Sequence, residues 1–332
     1  MFLSIIIPVY NAEKYIRECL DSCINQDIDC CDYEIICIND GSTDSSLDIL
    51  HSYAKKHKNI IVIDKENSGV SETRNIGVSV AKGDYMWFVD SDDFIKSNCL
   101  NYLKNVAASK YDIISFYAFL FGETFSLEEY ALTKYDLKND KRFYHAANFS
   151  SLYKSDLIIN NDIRYKSEIA YGEDTFFSHE IYSIAESKKS IDDILYFYRK
   201  NPESVMNSLQ YLNRRVRYAN STIKVIELLN NGLKSGRFNK QSSESFLKSK
   251  YKQFLMMLVR LDIKNAIVCY KSMIQKGLLD KEIISEYNLP RKNRIIFVYI
   301  TKHFKIWFRS ILKKILPQKI VKLIHKKMIF LL

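Results

Sequence analysis

The sequence predicts an α/β protein: a Rossmann-like domain with a mostly parallel sheet, followed by an α-helical C-terminal region. Three observations predict it. Short runs of β-branched and aromatic residues alternate with helix-length amphipathic segments through the first hundred residues, the pattern of strands joined by crossover helices. Acids and turn-formers recur at the ends of those runs, where open α/β sheets bind ligands. From about Asn207 the strand pattern stops and helical periodicity takes over.

Leu3-Ser4-Ile5-Ile6-Ile7-Pro8-Val9 reads as a buried first strand, and Tyr10-Asn11-Ala12-Glu13 turns into a helix. Ala12, Tyr15, Ile16, Cys19, Leu20 and Cys23 give that helix its i, i+3, i+4 stripe. Tyr33 to Ile38 is a second strand ending in Asn39-Asp40-Gly41-Ser42-Thr43-Asp44, where Asp40-Gly41 turns and Thr43 or Asp44 can cap the next helix. Ile60 to Ile63 is a third strand, Val70 to Ala81 a helix, Gly83-Asp84 a turn, and Tyr85-Met86-Trp87-Phe88-Val89 the fourth strand. If these strands are neighbours, one crevice holds the residues at their ends: Pro8, Tyr10 and Asn11, then Asp40, then Asp64 to Asn67, then Asp90 and Asp92. Arg74 joins them from the helix. An aromatic ring, acids and an arginine are the groups a nucleoside diphosphate needs.

The tetrad Asp90-Ser91-Asp92-Asp93 is the densest signal. Three carboxylates cannot share a dry core, so they are expected to emerge at the sheet edge. Hard oxygens there suit Mg²⁺ or Mn²⁺, with a diphosphate completing the shell. The plain alternative is an acidic turn capping a helix that begins near Asn98.

These segments resemble a known family in order. Ser4 to Asn11, Asn39 to Asp44, Asn67-Ser68-Gly69-Val70-Ser71-Glu72-Thr73-Arg74-Asn75 and Phe88 to Asp93 are similar to the successive signatures of the family-2 glycosyltransferases of the GT-A fold. Thr73 stands where alanine is usual. The resemblance spans about ninety residues and implies roles. Pro8, Tyr10, Asn11, Asp40, Asn67, Arg74, Asp90 and Ser91 would hold the donor, with Tyr10 and Asp40 on the base. Asp92 would ligate a Mn²⁺ or Mg²⁺ ion bridging the donor phosphates. Ala170-Tyr171-Gly172-Glu173-Asp174-Thr175-Phe176-Phe177 resembles the acidic motif that carries the base. Asp174 would take the acceptor's proton, with Glu173 supporting its position or contacting the acceptor. Locally Asp174 is also a good first-turn acid for a helix whose stripe is Phe176, Phe177, Ile181, Ile184 and Ala185. Leu195-Tyr196-Phe197-Tyr198-Arg199 followed by Ser204-Val205-Met206 resembles a further element, in which Arg199 would face the diphosphate. Ser150 to Lys154 and Ile163 to Tyr165 resemble the stretch before the acidic motif. Phe119 to Asn139 matches nothing.

The resulting organisation is a nucleotide-sugar-binding half at 1–110, an acceptor-side half carrying the base at 111–206, a helical region at 207–290 and a basic amphipathic tail at 291–332. In the helical region Val216, Ala219, Ile223, Ile226 and Leu229 form one stripe. Phe246, Tyr251, Leu255, Leu258 and Leu261 form another, with Asn231-Gly232 and Ser235-Gly236 as breaks.

The 332 residues are ample for a full core. Met1 is followed almost at once by the first strand, so no signal peptide is expected, and no uncharged apolar run reaches about 18 residues. The seven cysteines are an odd set without paired spacing, which points to reduced thiols and a cytoplasmic protein. Cys19 and Cys23 lack a second ligand pair and read as core. The formal charge is +10, and no Asp or Glu follows Glu286 while Lys and Arg are frequent there. Phe304, Trp307, Phe308, Ile311, Leu312 and Ile315 recur at helical spacing among them. That fits an anionic membrane surface, hence a peripheral protein on the inner face of the cell membrane. The alternative is a helix packed on the protein's own core. No RNA- or DNA-binding motif is present. The activity the resemblance implies is inverting transfer from a nucleotide sugar, expected to be a UDP-sugar, to a hydroxyl of a growing surface glycan or lipid-linked saccharide. The rivals are a non-catalytic carbohydrate-binding scaffold and a sugar nucleotidyltransferase. The latter requires a glycine-rich phosphate loop that Pro8-Val9-Tyr10-Asn11 does not supply.

Overall fold

The computed structural model describes residues 1–122, 143–145, 147–200, 212–258 and 260–278. The first half alternates β1 (Leu3–Val9), α1 (Ile16–Ile24), β2 (Tyr33–Asp40), α2 (Ser46–Ala54), β3 (Ile60–Lys65), α3 (Val70–Val80) and β4 (Tyr85–Phe88). It continues through β5 (Phe94–Ile95), α4 (Leu100–Ala107), β6 (Ile113–Phe121), β7 (Phe143–His145), β8 (Ser151–Lys154), α5 (Ser155–Asn160), α6 (Glu173–Ile184) and β9 (Lys188–Arg199). One mixed sheet runs β3-β2-β1-β4-β8-β6-β9-β5, with β7 paired to β6. β1, β2, β3 and β4 are mutually parallel, as are β6 and β9.

Strand alternation decides which core each residue enters. Ile5, Ile7 and Val9 of β1, Ile35 and Cys37 of β2, and Trp87 of β4 face a cluster completed by Ile16, Leu20 and Leu103. Ile6, Ile36, Ile38, Met86 and Phe88 face the opposite cluster, completed by Val78, Tyr165, Phe177 and Ile181. Both faces are covered, which is why these strands read as continuous apolar runs.

The order β3-β2-β1-β4 reverses direction between β1 and β4, making a switch point there. Pro8 marks it. The Ile6 carbonyl accepts the Val89 N–H at 3.0 Å, and Pro8, two residues on, turns its nitrogen the same way, past the end of β4. A proline therefore breaks no ladder bond, and the two strands part where a ligand crevice belongs.

The C-terminal helices are α7 (Leu212–Lys234), α8 (Lys240–Leu258) and α9 (Ile263–Gln275). The chain divides into two compact units. One takes in the described residues through Lys200 together with Gly232–Ser243, the other the remaining described helical residues. Within the second unit Tyr251 donates its hydroxyl to the Leu278 carbonyl at 2.5 Å, and Lys276 pairs with Glu227 at 2.6 Å.

Several expectations are corrected. Asn231-Gly232 does not break the helix: α7 runs through it, and the turn comes at Gly236, whose φ of +73° ends the helix. Leu261 lies beyond α8, and Leu247 rather than Phe246 is buried. α2 begins after Ser45 rather than at a Thr43 or Asp44 cap, although Asp44 accepts the Ser46 N–H at 3.0 Å. The helix expected near Asn98 starts at Leu100, because β5 intervenes. Ile184 and Ala185 are half-buried, while every residue from Phe176 to Ile181 is buried. Ser204-Val205-Met206, most of Phe119 to Asn139 and the whole tail from 291 lie outside the described residues. Among the described residues no helix is long and apolar enough to cross a membrane.

Candidate active site

The four parallel strands deliver their C-terminal ends side by side. At β1, Tyr10 leaves the sheet 53% exposed. Asn11 takes the left-handed conformation (φ +48°), and its side-chain oxygen accepts the Thr43 N–H at 2.8 Å. Its own N–H goes to Ser42 Oγ at 3.0 Å, and Ala12 N–H goes to Ser46 Oγ at 2.8 Å. Asn11 thus ties the loop after β1 to the loop after β2, a task its residue type suits because asparagine tolerates this backbone.

At β2, Asp40 is buried and takes three donors. Its carboxylate takes the Lys65 ammonium, the Ser68 N–H at 2.8 Å and the Gly69 N–H at 3.0 Å. Burial alone would raise its pKa, but the Lys65, Ser68 and Gly69 donors outweigh burial and hold it below the usual carboxylate range. Gly41 (φ +69°) lets the exposed Asn67 approach, since a Cβ there would lie 2.8 Å from the Asn67 nitrogen. Neighbouring Asn39 donates to Asp64 at 2.7 Å.

At β4 the tetrad divides. Asp93 does not emerge at the edge as expected: it is 1% exposed. Its two oxygens accept the Tyr196 hydroxyl at 2.5 Å and the Arg199 N–H at 2.7 Å, so the buried carboxyl is satisfied rather than expelled. Burial pushes its pKa well up, and the charges of Asp92 and Asp90 push the same way. The Tyr196 hydroxyl also accepts the Asp90 N–H at 3.1 Å, so one phenol from β9 fixes the turn. Ser91 and Asp92 are half-buried on it. Arg199 grips the Asp92 carbonyl through Nε at 2.9 Å, pairs with Glu18, and lies 5.1 Å from the Tyr15 ring centroid and 4.7 Å from that of Phe121.

Arg74 joins two parts of the chain. From α3 its guanidinium reaches Asp90 at 2.7 Å and Glu173 at 3.2 Å, with Tyr165 5.3 Å beneath. Burial works against its charge, but Asp90, then Tyr165, Glu173 and Asp174, hold the proton more firmly than usual. Glu173 and Asp174 open α6 behind Gly172 in the left-handed conformation. The Glu173 carboxyl is pushed up by burial and by Asp174, and Arg74 opposes both. Asp174 is half-buried and accepts the Thr175 N–H at 2.6 Å.

The structure therefore brings Arg74, Asp90 and Glu173 into direct contact, with Asp174 beside them. It gives Asp40, Asn11 and Asn67 a separate set of partners at the ends of β1 to β3. Sequence reasoning placed Lys65 within the Asp64 to Asn67 strand end without giving it a role, and missed Glu18 and the inward turn of Asp93. The Tyr-x-Tyr-Arg spacing on β9 was the available signal for Asp93's partners; Glu18 carries no local signal.

The resemblance implies a divalent cation at Asp92, and the groups present fit one. The edge donors Asp90 and Asp92 offer hard carboxylate oxygens of the kind such an ion takes. Asp93 itself is turned inward and leaves that donor set.

Comparison with known proteins agrees with this architecture. Residues 4–155 match the profile of Glycosyl transferase family 2. A poly(ribitol-phosphate) beta-glucosyltransferase from Bacillus spizizenii is 36% identical over 222 residues, covering 64% of this chain and 34% of that one. Glycosyltransferase GlyG of Streptococcus pneumoniae is 30% identical over 226 residues, covering 62% and 73%. Across the first three curated relatives that it matches, the beta-glucosyltransferase among them, the chain spans between 34% and 63% of their length. In fold it is similar to Staphylococcus aureus TarS 1–349 in complex with UDP-GlcNAc, with a TM-score of 0.64, 22% identity, and 85% and 83% of the two chains covered. It is also similar to the mannosyltransferase PcManGT from Pyrobaculum calidifontis in complex with GDP-Man and Mn²⁺, with a TM-score of 0.51, 14% identity, and 94% and 87% covered. The ordered motifs, the mostly parallel sheet with its switch point and these relatives agree: the chain has the GT-A fold and belongs to glycosyltransferase family 2.

Proposed function

We propose that this chain transfers a sugar, with inversion, from a UDP-sugar to a hydroxyl of a growing surface glycan, either lipid-linked or polymeric. The observation that carries the reading is the Arg74 bridge. One buried guanidinium holds both Asp90, at the donor-side strand end, and Glu173, beside the proposed base. Donor and acceptor chemistry would then meet over it.

In this reading Tyr10 stacks on the nucleobase and the unspent lone pair of Asp40 accepts its imide N–H. Asn67, Asp90 and Ser91 complete the donor side, and Pro8 and Asn11 shape its floor. Asp174 accepts the proton of the acceptor hydroxyl as that oxygen attacks the anomeric carbon and the bond to the diphosphate breaks. Glu173, kept in place by Arg74, orients Asp174. Asp92 would hold a Mg²⁺ or Mn²⁺ ion, which would supply Lewis-acid chemistry to the leaving diphosphate, and Arg199 adds a positive group on the same side. The relatives support the substrate classes: one is named for poly(ribitol-phosphate) and a fold neighbour was solved with UDP-GlcNAc. The basic segment after Glu286 would keep the enzyme on an anionic membrane surface at the cytoplasmic face, near a lipid-linked acceptor.

The test is a panel of nucleotide sugars incubated with the purified chain, a ribitol-phosphate or oligosaccharide acceptor, and Mn²⁺ or Mg²⁺. The expected result is metal-dependent, acceptor-stimulated release of UDP from one donor. Absence of nucleotide release from every donor, with UDP failing to bind by calorimetry, overturns the reading.

A further inference from the structure

Helix α6 carries Glu173 and Asp174 on its first turn, and its body has no solvent face: Phe176 through Ile181 are all buried. One side packs on the sheet through Phe177 and Ile181, against Ile6, Phe88 and Tyr165. The other side is covered by Gly232–Ser243, the tip between α7 and α8, which groups with the catalytic unit although most of both helices groups with the other.

The tip is fitted to α6 by shape and by charge. Phe238 presents its ring edge-on to Phe176 at 6.4 Å and to His179 at 5.8 Å. A Cβ on Gly232 would lie 2.1 Å from that ring, so the ring occupies space a side chain would take. His179 Nε2 shares a 3.0 Å hydrogen bond with Ser243 Oγ. Glu180, 2% exposed, has one oxygen 3.2 Å from the Arg237 guanidinium. That contact is an ion pair without hydrogen-bond geometry, and the other oxygen has no hydrogen bond either, only the Lys166 ammonium at 3.9 Å.

A half-satisfied buried carboxylate is a poor way to stabilise a fold, and an apolar residue of similar volume would do at least as well. A buried charge that only Arg237 and Lys166 can offset does restrict the register in which tip and helix can meet, which ring contacts alone do not. A helix is stiff, so fixing its body at positions 176, 179 and 180 fixes where its first turn points. We propose that the Gly232–Ser243 tip is a positioning element for the base-bearing helix, with Arg237 acting through Glu180 and Phe238 acting through Phe176 and His179. This rests on Asp174 being the base.

The experiment uses the full chain with R237Q, R237K and G232A. Hydrogen exchange is followed on the amides of Glu173 to Phe177, together with UDP affinity by calorimetry, donor KM and kcat. R237Q is expected to speed exchange in that turn at least about tenfold and to lower kcat by about the same factor. Donor KM and UDP affinity should stay within about twofold, and R237K should recover most of kcat. G232A is the opposing control: alanine favours the helix more than glycine does, yet displacing Phe238 should give the same kcat loss. Unchanged exchange and kcat in both R237Q and G232A overturn the proposal, as does a fall in UDP affinity parallel to kcat. If G232A fails to fold, the Arg237 pair still decides. The exchange result does not depend on turnover, so an inactive wild type would refute the transferase reading while leaving the positioning test standing.

Discussion

Arg74 and Glu173 are 99 positions apart in sequence and 3.2 Å apart in the structure. The same guanidinium holds Asp90 at 2.7 Å, so the strand end of the tetrad and the first turn of α6 share one buried cation. A planar fork can serve both acids, whereas an ammonium is a single point charge. Arg74→Lys is therefore expected to lower kcat by roughly 10- to 100-fold, the worth of one charge-assisted hydrogen bond. Arg74→Met should also lose about 3–5 kcal/mol of stability, because it strands two partly buried carboxylates. Urea unfolding and steady-state kinetics check both, and an unchanged unfolding midpoint in Arg74→Met would remove the bridge from the fold's supports.

Asp92→Asn keeps the size of the side chain and removes the anionic ligand. Donor turnover should fall at least about 100-fold, or roughly 2.7 kcal/mol of transition-state stabilisation. Undiminished turnover of the wild type in EDTA would sink the metal assignment.

Asp174 and Asp40 should separate chemistry from binding. Asp174→Asn is expected to abolish transfer with UDP affinity within a few-fold, since a base acts on the acceptor. Asp40→Ala should weaken UDP directly. Calorimetry decides: equal UDP affinity in Asp40→Ala and wild type rejects the base-binding role, and lost UDP affinity in Asp174→Asn makes Asp174 a donor-site or folding residue.

Asp40 also predicts a pH signature. Its pKa is lowered in the folded state, so the unfolded chain binds the proton more readily. Its stabilisation is fully present above the unfolded value near ~3.9 and is lost as pH falls through the lower folded value. The stability gap between wild type and Asp40→Asn should be constant near neutrality and shrink below about pH 4. Denaturant curves from pH 7 to 3 test this, and parallel curves throughout would show that the Lys65 pair contributes nothing through the charge.

Truncation after Pro290 tests the basic segment. Each Lys or Arg near an anionic bilayer contributes about 1 kcal/mol, screened by salt. The shortened chain should leave anionic vesicles at low salt while turning over a water-soluble acceptor as before, and turnover on a lipid-linked acceptor should drop. Full-length protein that stays in the supernatant on strongly anionic vesicles refutes the membrane role.

Much was legible in the sequence. The strand runs of β1, β2, β3 and β4 could be read because both faces of the sheet are covered, which leaves an unbroken apolar signature. The turn residues Asp40-Gly41 and the acids at Asp90, Asp92, Glu173 and Asp174 could be read because polar groups at strand and helix ends break that signature. Gly232 misled for an equally physical reason. Glycine commonly ends helices, but here it stays within α7 and makes room for the Phe238 ring.

By itself the sequence determined the element types, their order through β4 and the chemical groups offered at their ends, because periodicity and turn chemistry are local. Only the tertiary structure decided which acid faces inward. Asp93 is held by Tyr196 and Arg199 from a strand more than a hundred residues later. Likewise Arg74 is buried between Asp90 and Glu173, and Glu180 is left to Arg237 from a distant turn. A buried charge is tolerable only where partners converge on it, and convergence across the chain is a property of the fold that no local window contains.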